Sequence, residues 1–146
     1  MLTTHLVAGN YPLLDLQQVS TGMADQARVA HRVLATVISY YPGRGPNGEN
    51  EAMCDAGAIA MSKDTGPSGG FGDVVGRKWK LYKVSQEHGI LRSVSEGDPL
   101  RVGEQIQIIG QHACLIAAAH PWYYITDSSS GLGDTVVDVW VPWKGW

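Results

Sequence analysis

The sequence predicts a single, mainly β domain, a barrel or sheet with little helix. Glycine and proline supply 18 and 7 of the 146 residues, and glycine at that frequency separates short elements and disfavours a helical bundle. Short runs of β-branched and aromatic residues alternate with these turn residues, which is typical of strands. The length is that of one domain, and 44% hydrophobic residues are enough to form a buried core.

The first predicted strand is Tyr11–Leu16. The next stretch is ambiguous, because apolar residues in Ala24–Ala35 recur at helical spacing whereas Val33–Tyr41 is rich in β-branched and aromatic residues. Such side chains lose rotamer freedom in a helix. We therefore favour a strand from about Val29 onward, ended by an exposed turn at Pro42–Pro46.

The second half of the chain has clearer signals. Its strongest pattern is two strand-like runs separated by three polar residues, which indicates a hairpin. A Ser/Gly-rich loop that joins two later runs suits a longer hairpin connection. The predicted elements are the hairpin Lys78–Ser85 with Gly89–Val94, a strand at Gln105–Ile109, a short helix at Leu115–Ala119, and strands Trp122–Thr126 and Thr135–Val141 joined by the loop Asp127–Asp134.

Composition and charge exclude several classes of protein. There are 11 basic and 14 acidic residues, so the formal net charge is −3, whereas nucleic-acid binders normally have a basic surplus. No apolar run approaches the ~20 residues of a membrane helix, and the N-terminus lacks the pattern of a signal peptide. The two cysteines are too few for a disulfide scaffold. We expect a cytoplasmic protein without nucleic-acid or membrane partners.

One short motif could bind a metal ion. His112-Ala113-Cys114 supplies an imidazole and a thiol, which are both ligands of zinc. If the backbone there is extended, residues two apart point to the same side and can share one ion. Two ligands leave coordination positions open, as a catalytic metal requires. The alternative is a buried cysteine beside a hydrogen-bonded histidine.

Other candidate residues have simpler explanations. The glycine-rich segment Gly66–Gly72 lacks the spacing of a phosphate-binding loop and is predicted to be a surface turn. Asp55 and Asp64 could take part in acid–base chemistry, although carboxylates in such positions usually cap turns or face solvent. Cys54 is expected in the core. The aromatic tail Trp140–Trp146 is expected to pack on the core or against a partner.

Several segments together resemble the C-terminal β domain of the D-serine dehydratase and D-threonine aldolase family. They occur in the family's order and span nearly the whole chain. They are Gly9-Asn10-Tyr11-Pro12 with Asp15, Val33–Ser39, Asp55-Ala56-Gly57, Ala60-Met61-Ser62-Lys63-Asp64, His112-Ala113-Cys114, Trp122-Tyr123-Tyr124, Val136–Trp140 and Gly145-Trp146.

The resemblance implies a fold-type III pyridoxal-phosphate enzyme, whose N-terminal α/β barrel holds the cofactor and its Schiff-base lysine. The β domain, similar to that of alanine-racemase-like enzymes, contributes a histidine and a second ligand to a divalent metal. The dehydratase branch has His-x-Cys with zinc, and the aldolase branch has His-x-Asp with manganese or a similarly hard ion. The resemblance thus implies that His112 and Cys114 are zinc ligands, and the softness of the thiolate agrees.

The sequence departs from the family in three respects. Gly110-Gln111 stand where the family usually has Pro-Asn, and Pro142–Lys144 replace an arginine-bearing segment. None of the five lysines stands where the family places its Schiff-base lysine, which belongs to the barrel. We therefore expect residues 1–146 to be one β domain that is inactive alone, either a fragment of a longer protein or a truncated relative.

The resemblance predicts the metal-bearing C-terminal domain of a D-amino-acid lyase that converts D-serine to pyruvate and ammonia. Two alternatives remain. One is a domain of a D-threonine aldolase-like enzyme, and the other is a non-catalytic β domain, for dimerisation or binding, retained after loss of the barrel. Without its barrel the domain would expose an apolar docking face, so we expect a homodimer.

Overall fold

A computed structural model describes residues 10, 12–127, 129 and 135–143. It consists of a β-barrel, a separate two-stranded sheet and short helices. The elements, in chain order, are α1 (Leu16–Ser20), a 3₁₀ turn (Gln26–Arg28), β1 (Val33–Tyr41), β2 (Glu51–Cys54), α2 (Ala58–Met61), β3 (Gly72–Val74), β4 (Trp79–Val84), β5 (Gly89–Ser93), β6 (Gln105–Gly110), α3 (Ala113–Ala119), β7 (Tyr123–Thr126) and β8 (Val136–Trp140).

Six antiparallel strands close the barrel in the order β1-β2-β5-β4-β3-β6, and β6 pairs with β1 to complete it. Closure satisfies the backbone groups that an open sheet would leave unpaired at its edges. The mainly β barrel predicted from the sequence is confirmed.

Alternation of side chains along the strands forms the core. In β1, Val33, Ala35 and Val37 point inward and are buried, whereas Leu34 between them is exposed. This is the period of two expected for a strand with one buried face. Trp79 is the largest fully buried side chain, and its indole Nε1–H donates to the backbone oxygen of Asp98 at 2.6 Å, so its one polar group is satisfied.

Most of the predicted elements are confirmed. The hairpin of β4 and β5 occurs where the sequence predicts it, as do β6 and the pair β7–β8. The ambiguous segment contains a strand, as favoured above, but β1 begins at Val33 rather than near Val29. The Pro42–Pro46 segment is a turn. Helix α3 begins at Ala113, two residues before the predicted start.

The predicted first strand, Tyr11–Leu16, is wrong for its described residues. Pro12 and Leu13 form a turn, and Leu16 begins helix α1. The reason is Asp15, whose side chain accepts hydrogen bonds from the backbone N–H groups of Gln17 and Gln18 and so caps the helix. Tyr11 lies outside the described residues.

The aromatic tail does not pack on the core in the part that the structure describes. Trp140 is 59% exposed and Trp143 is fully exposed. The expectation that the tail packs on the core is therefore wrong for these residues, and packing against a partner stays a prediction. Residues 144–146 and most of the loop before β8 lie outside the described residues. Within the described ranges, no helix is long and apolar enough to cross a membrane.

Candidate metal centre

The two predicted metal ligands lie at the N-terminal end of helix α3. His112 is the N-cap residue, with extended backbone angles of φ −139° and ψ 96°. Cys114 is the second residue of the helix itself. Extended backbone at both residues is the geometry expected for sharing one ion, and Cys114 does not have it. The two side chains instead leave the chain where it changes from strand β6 to helix α3.

Both side chains reach solvent. Cys114 is exposed, and the His112 side chain is about one-third exposed at 33%. The alternative of a buried cysteine beside a hydrogen-bonded histidine is thus wrong for the cysteine, although the histidine does have a hydrogen-bond partner. A metal ion held here could contact a molecule in solution or in an adjoining domain.

The partner of His112 is Asp64. Oδ2 of Asp64 lies 2.5 Å from Nδ1 of the imidazole. Because a carboxylate can only accept, Nδ1 is the donor in this contact, and in the neutral imidazole the second ring nitrogen, Nε2, then keeps its lone pair. This carboxylate–histidine arrangement is the usual one around a metal-ligating histidine.

Long-range strand pairing brings Asp64 to His112. Gly72 of β3 pairs with Gly110 of β6 in antiparallel register, so the segment before β3 runs beside the segment after β6. Helix α2 ends at Met61, and its C-cap residue Ser62 is a non-glycine residue with a left-handed φ of 64°. The Ser62 hydroxyl accepts the N–H of Asp64 at 3.3 Å. These contacts turn the chain toward the start of α3.

Asp15 holds the start of α3 through a hydrogen bond to its first residue. It is 1% exposed, and its Oδ2 accepts the N–H of Ala113 at 2.8 Å while Oδ1 caps α1. Asn10 also donates to this carboxylate. One buried side chain therefore satisfies N–H groups at the starts of two helices, and it holds the residue between His112 and Cys114 in place.

Gln111 connects the same region to the glycine-rich loop. This side chain is fully buried, and its amide nitrogen donates to Ser68 Oγ and to the carbonyl oxygens of Gly69 and Gly70 at 3.2–3.4 Å. A Cβ at Gly66 would lie 2.3 Å from Oε1 of Gln111. The predicted surface turn is confirmed at Pro67 and Ser68, which are exposed, whereas Gly72 is buried in β3. Gly66 lets the chain pass close to the residue before His112.

The remaining candidates have structural roles. Asp55 Oδ1 accepts the N–H of Thr36 at 2.7 Å, so this carboxylate bonds to the backbone of β1. Cys54 is fully buried in the core, and burial raises the pKa of its thiol, which keeps it protonated and unreactive. Burial, together with the nearby His120, lowers the pKa of His31, whose ring packs edge-on against Tyr123.

The donor set is suited to zinc but is not complete in itself. An imidazole with a free Nε2 and an accessible thiol are both preferred zinc ligands, and neither suits magnesium or calcium. Among the described residues, no group of three or more His, Cys, Asp and Glu side chains could hold a metal ion. Zinc bound by two protein ligands would take its other ligands from water, substrate or another part of the protein.

Sequence comparison gives a family for the chain. A family model described as a serine dehydratase domain matches residues 30–126. The D-serine dehydratase of Schizosaccharomyces pombe is 49% identical over 144 residues, which are 95% of this chain and 33% of that protein. The chain spans about a third of the length of the curated relatives that it matches.

Solved structures share the fold. The D-threo-3-hydroxyaspartate dehydratase of Delftia sp. HT23 is 29% identical, with a TM-score of 0.76 over 94% of this chain and 38% of that one. An alanine-racemase-like protein of Idiomarina loihiensis is also 29% identical, with a TM-score of 0.74 over the same shares. Solved variants of the Delftia enzyme replace a histidine and a cysteine, two positions apart, by alanine, and the cysteine variant is in a metal-free form.

Proposed function

We propose that this chain, which belongs to the serine dehydratase domain family, is the zinc-binding β domain of a pyridoxal-phosphate-dependent D-serine dehydratase. The observation that supports this most directly is the solvent-accessible pair His112 and Cys114 at the start of α3, with Asp64 bonded to Nδ1 of the histidine. The reaction converts D-serine to pyruvate and ammonia.

The Delftia variants support the assignment of the ligand pair. Their histidine and cysteine have the same spacing as His112 and Cys114, and a structure of the cysteine variant is in a metal-free form. One residue separates the two ligands here as well, although the flanking Gln111 differs from the asparagine that is usual in the family. We infer that Nε2 of His112 and Sγ of Cys114 bind zinc.

Each residue of the site has a defined task in this proposal. His112 and Cys114 bind the metal, Asp64 orients the imidazole, and Asp15 fixes the helix start between the two ligands. When bound, zinc stabilises the departing hydroxyl group as a Lewis acid, and pyridoxal phosphate withdraws electrons from the α-carbon. Because both ligands are accessible to solvent, a metal held by them could also take the substrate hydroxyl as a ligand.

The rest of the enzyme is also part of the proposal. The chain matches about a third of the length of its relatives, so the lysine and the pocket that hold pyridoxal phosphate are assigned to another domain of the working protein. We propose a cytoplasmic homodimer, in which a second copy covers the apolar surface of β7 and β8. Trp140 and Val139 are exposed on that surface.

A D-threonine aldolase-like function is the second candidate, and Cys114 argues against it. By the resemblance, the aldolase branch has an aspartate at this position for a harder metal ion, whereas a thiolate favours zinc. A non-catalytic domain is the third candidate, and it does not require an accessible ligand pair.

The metal site is tested by loading the purified chain with zinc and measuring bound metal. We expect the His112→Ala and Cys114→Ala variants to lose most of the zinc that the wild-type chain retains. Cys54→Ala is the matched control, because it removes the other thiol, which is buried outside the site. Equal zinc content in wild type and Cys114→Ala would contradict the assignment.

The reaction is tested by combining the chain with the barrel domain of a homologous D-serine dehydratase. We expect pyruvate release that depends on D-serine and on His112. Glycine and acetaldehyde formed from D-threonine would indicate the aldolase instead. Zinc binding without turnover of either amino acid would support a non-catalytic domain.

A further inference from the structure

We propose that Asp64 is a positioning residue that sets which nitrogen of His112 binds the metal. This inference rests on the proposed zinc site. It assigns a role to Asp64, for which the sequence pattern left acid–base chemistry, turn capping and a solvent-facing position open. Its basis is the 2.5 Å contact between Asp64 Oδ2 and His112 Nδ1, together with the exposed thiol of Cys114 on the same helix start.

A neutral imidazole has two tautomers, and only the one with its proton on Nδ1 leaves Nε2 free as a ligand. Asp64 accepts the Nδ1 proton and therefore stabilises this tautomer. The same hydrogen bond restricts rotation of the ring, and it increases the basicity of Nε2. Asp64 thus prepares His112 for metal binding before the metal arrives.

The local fold supports this role over that of an incidental surface contact. Asp64 is 48 residues from His112 in sequence, and its position depends on the left-handed turn at Ser62 and on the pairing of Gly72 with Gly110. Asp64 makes no ion pair with a lysine or arginine among the described residues. A carboxylate built into the fold in this way is directed at the imidazole.

The test compares zinc affinity by competition with a chromophoric chelator. We expect Asp64→Ala to weaken zinc binding by about 10- to 100-fold, the usual effect of losing such a carboxylate. Asp64→Asn should lose less than about 10-fold, because the amide oxygen can still accept from Nδ1. The control is Asp73→Ala, which removes a carboxylate bonded to Lys80 elsewhere on the barrel and should leave the affinity unchanged.

A second readout needs no metal. In ¹⁵N NMR spectra of the metal-free chain at alkaline pH, we expect a protonated Nδ1 and an unprotonated Nε2 for His112, assigned by its loss in His112→Ala. Asp64→Ala should shift this ring toward the other tautomer, whereas Asp73→Ala should not. Circular dichroism verifies that each variant is folded.

The outcomes separate this inference from the proposed function. Zinc binding by wild type that is unchanged in Asp64→Ala, with an unchanged tautomer, would overturn the role of Asp64 and leave the metal site standing. No zinc binding by wild type would overturn the metal site, while a tautomer change in Asp64→Ala would still support the orientation of His112 by Asp64.

Discussion

The buried carboxylate of Asp15 determines local structure on both sides of the candidate site. Its two oxygens accept backbone N–H groups from α1 and from the first residue of α3. Burying a charge is costly unless it is fully hydrogen-bonded, and here the donors are the N–H groups that a helix start leaves unpaired. The carboxylate oxygens therefore have hydrogen-bond donors, and N–H groups at the starts of both helices have an acceptor.

We predict that Asp15→Ala lowers the free energy of unfolding by roughly 2 to 4 kcal/mol. The loss combines a helix cap, worth about 0.5–2 kcal/mol, with a buried N–H of Ala113 left without an acceptor, which costs about 1–3 kcal/mol. Urea unfolding followed by circular dichroism measures this difference. Asp25→Ala is the matched control, since Asp25 precedes the 3₁₀ turn but makes no side-chain cap bond, and its effect should stay within about 0.5 kcal/mol. Equal losses in the two variants would contradict this role of Asp15.

The residues of the site were predictable from the sequence to different degrees. His112 and Cys114 could be found because both ligands lie in one three-residue motif. Asp64 could be noted but not assigned, because His112 is 48 residues away in sequence and comes close only through the pairing of β3 with β6. The strand predicted over Asp15 is wrong because Asp15 caps α1 through the nearby N–H groups of Gln17 and Gln18. Its second role could not be predicted, because Ala113 is 98 residues away.

At the scale of elements, α2 depends on the turn of the β4–β5 hairpin. The N–H groups of Ala58 and Ile59 donate to the carbonyl oxygens of Ser85 and Gln86 at 2.8 and 3.1 Å. A four-residue helix is too short to be stable alone, so these bonds and its packing against α3 maintain it. Gly57 permits the close approach, since a Cβ there would lie 2.4 Å from the backbone carbon of Glu87.

We predict that Gly57→Ala lowers the free energy of unfolding by about 1–3 kcal/mol, the usual cost of overpacking, and also weakens zinc binding. The added methyl group would move α2, and with it the chain that leads to Asp64. Gly103→Ala is the matched control, because Gly103 has φ +86° and open space around it. It should cost a similar ~1–2 kcal/mol for a left-handed residue but leave zinc affinity unchanged. Unfolding and chelator competition on both variants test this. Zinc affinity unchanged in Gly57→Ala would show that α2 does not position the site.

The predictability of the elements follows from their length and from the local sequence pattern around them. The sequence predicts β4 and β5 because two strand-like runs flank a short polar turn, and it predicts β6 from its β-branched run. The sequence does not predict β2 and β3, because strands of four and three residues are too short to show a clear alternating pattern. The predicted start of β1 is too early because residues 29–32 join no strand of the barrel. The N–H of Ala30 donates instead to the carbonyl oxygen of Leu13, before α1.

At the scale of the whole molecule, β7 and β8 form an apolar surface apart from the barrel. Every residue of β8 is exposed, and the exposed set is Trp122, Tyr124, Val136, Val137, Val139, Trp140, Val141 and Trp143. A two-stranded sheet is marginally stable alone in water, and exposed apolar patches commonly mark interfaces.

We predict that the chain self-associates through this surface, and that Val139→Glu shifts it toward monomer because a charge would be buried in the contact. Val102→Glu is the control, since Val102 is also exposed but lies in the turn before β6. Sedimentation velocity over a range of concentrations measures the effect. A wild-type chain that stays monomeric at high concentration would contradict the proposed dimer surface.

The central claim is that one zinc ion binds between His112 and Cys114, and X-ray absorption at the zinc edge tests it most directly. For the zinc-loaded chain we predict one sulfur at about 2.3 Å, with nitrogen or oxygen ligands at about 2.0–2.1 Å. The sulfur signal should vanish in Cys114→Ala and persist in Cys54→Ala. A zinc ion without a sulfur ligand in the wild-type chain, or one whose sulfur remains in Cys114→Ala, would contradict the account.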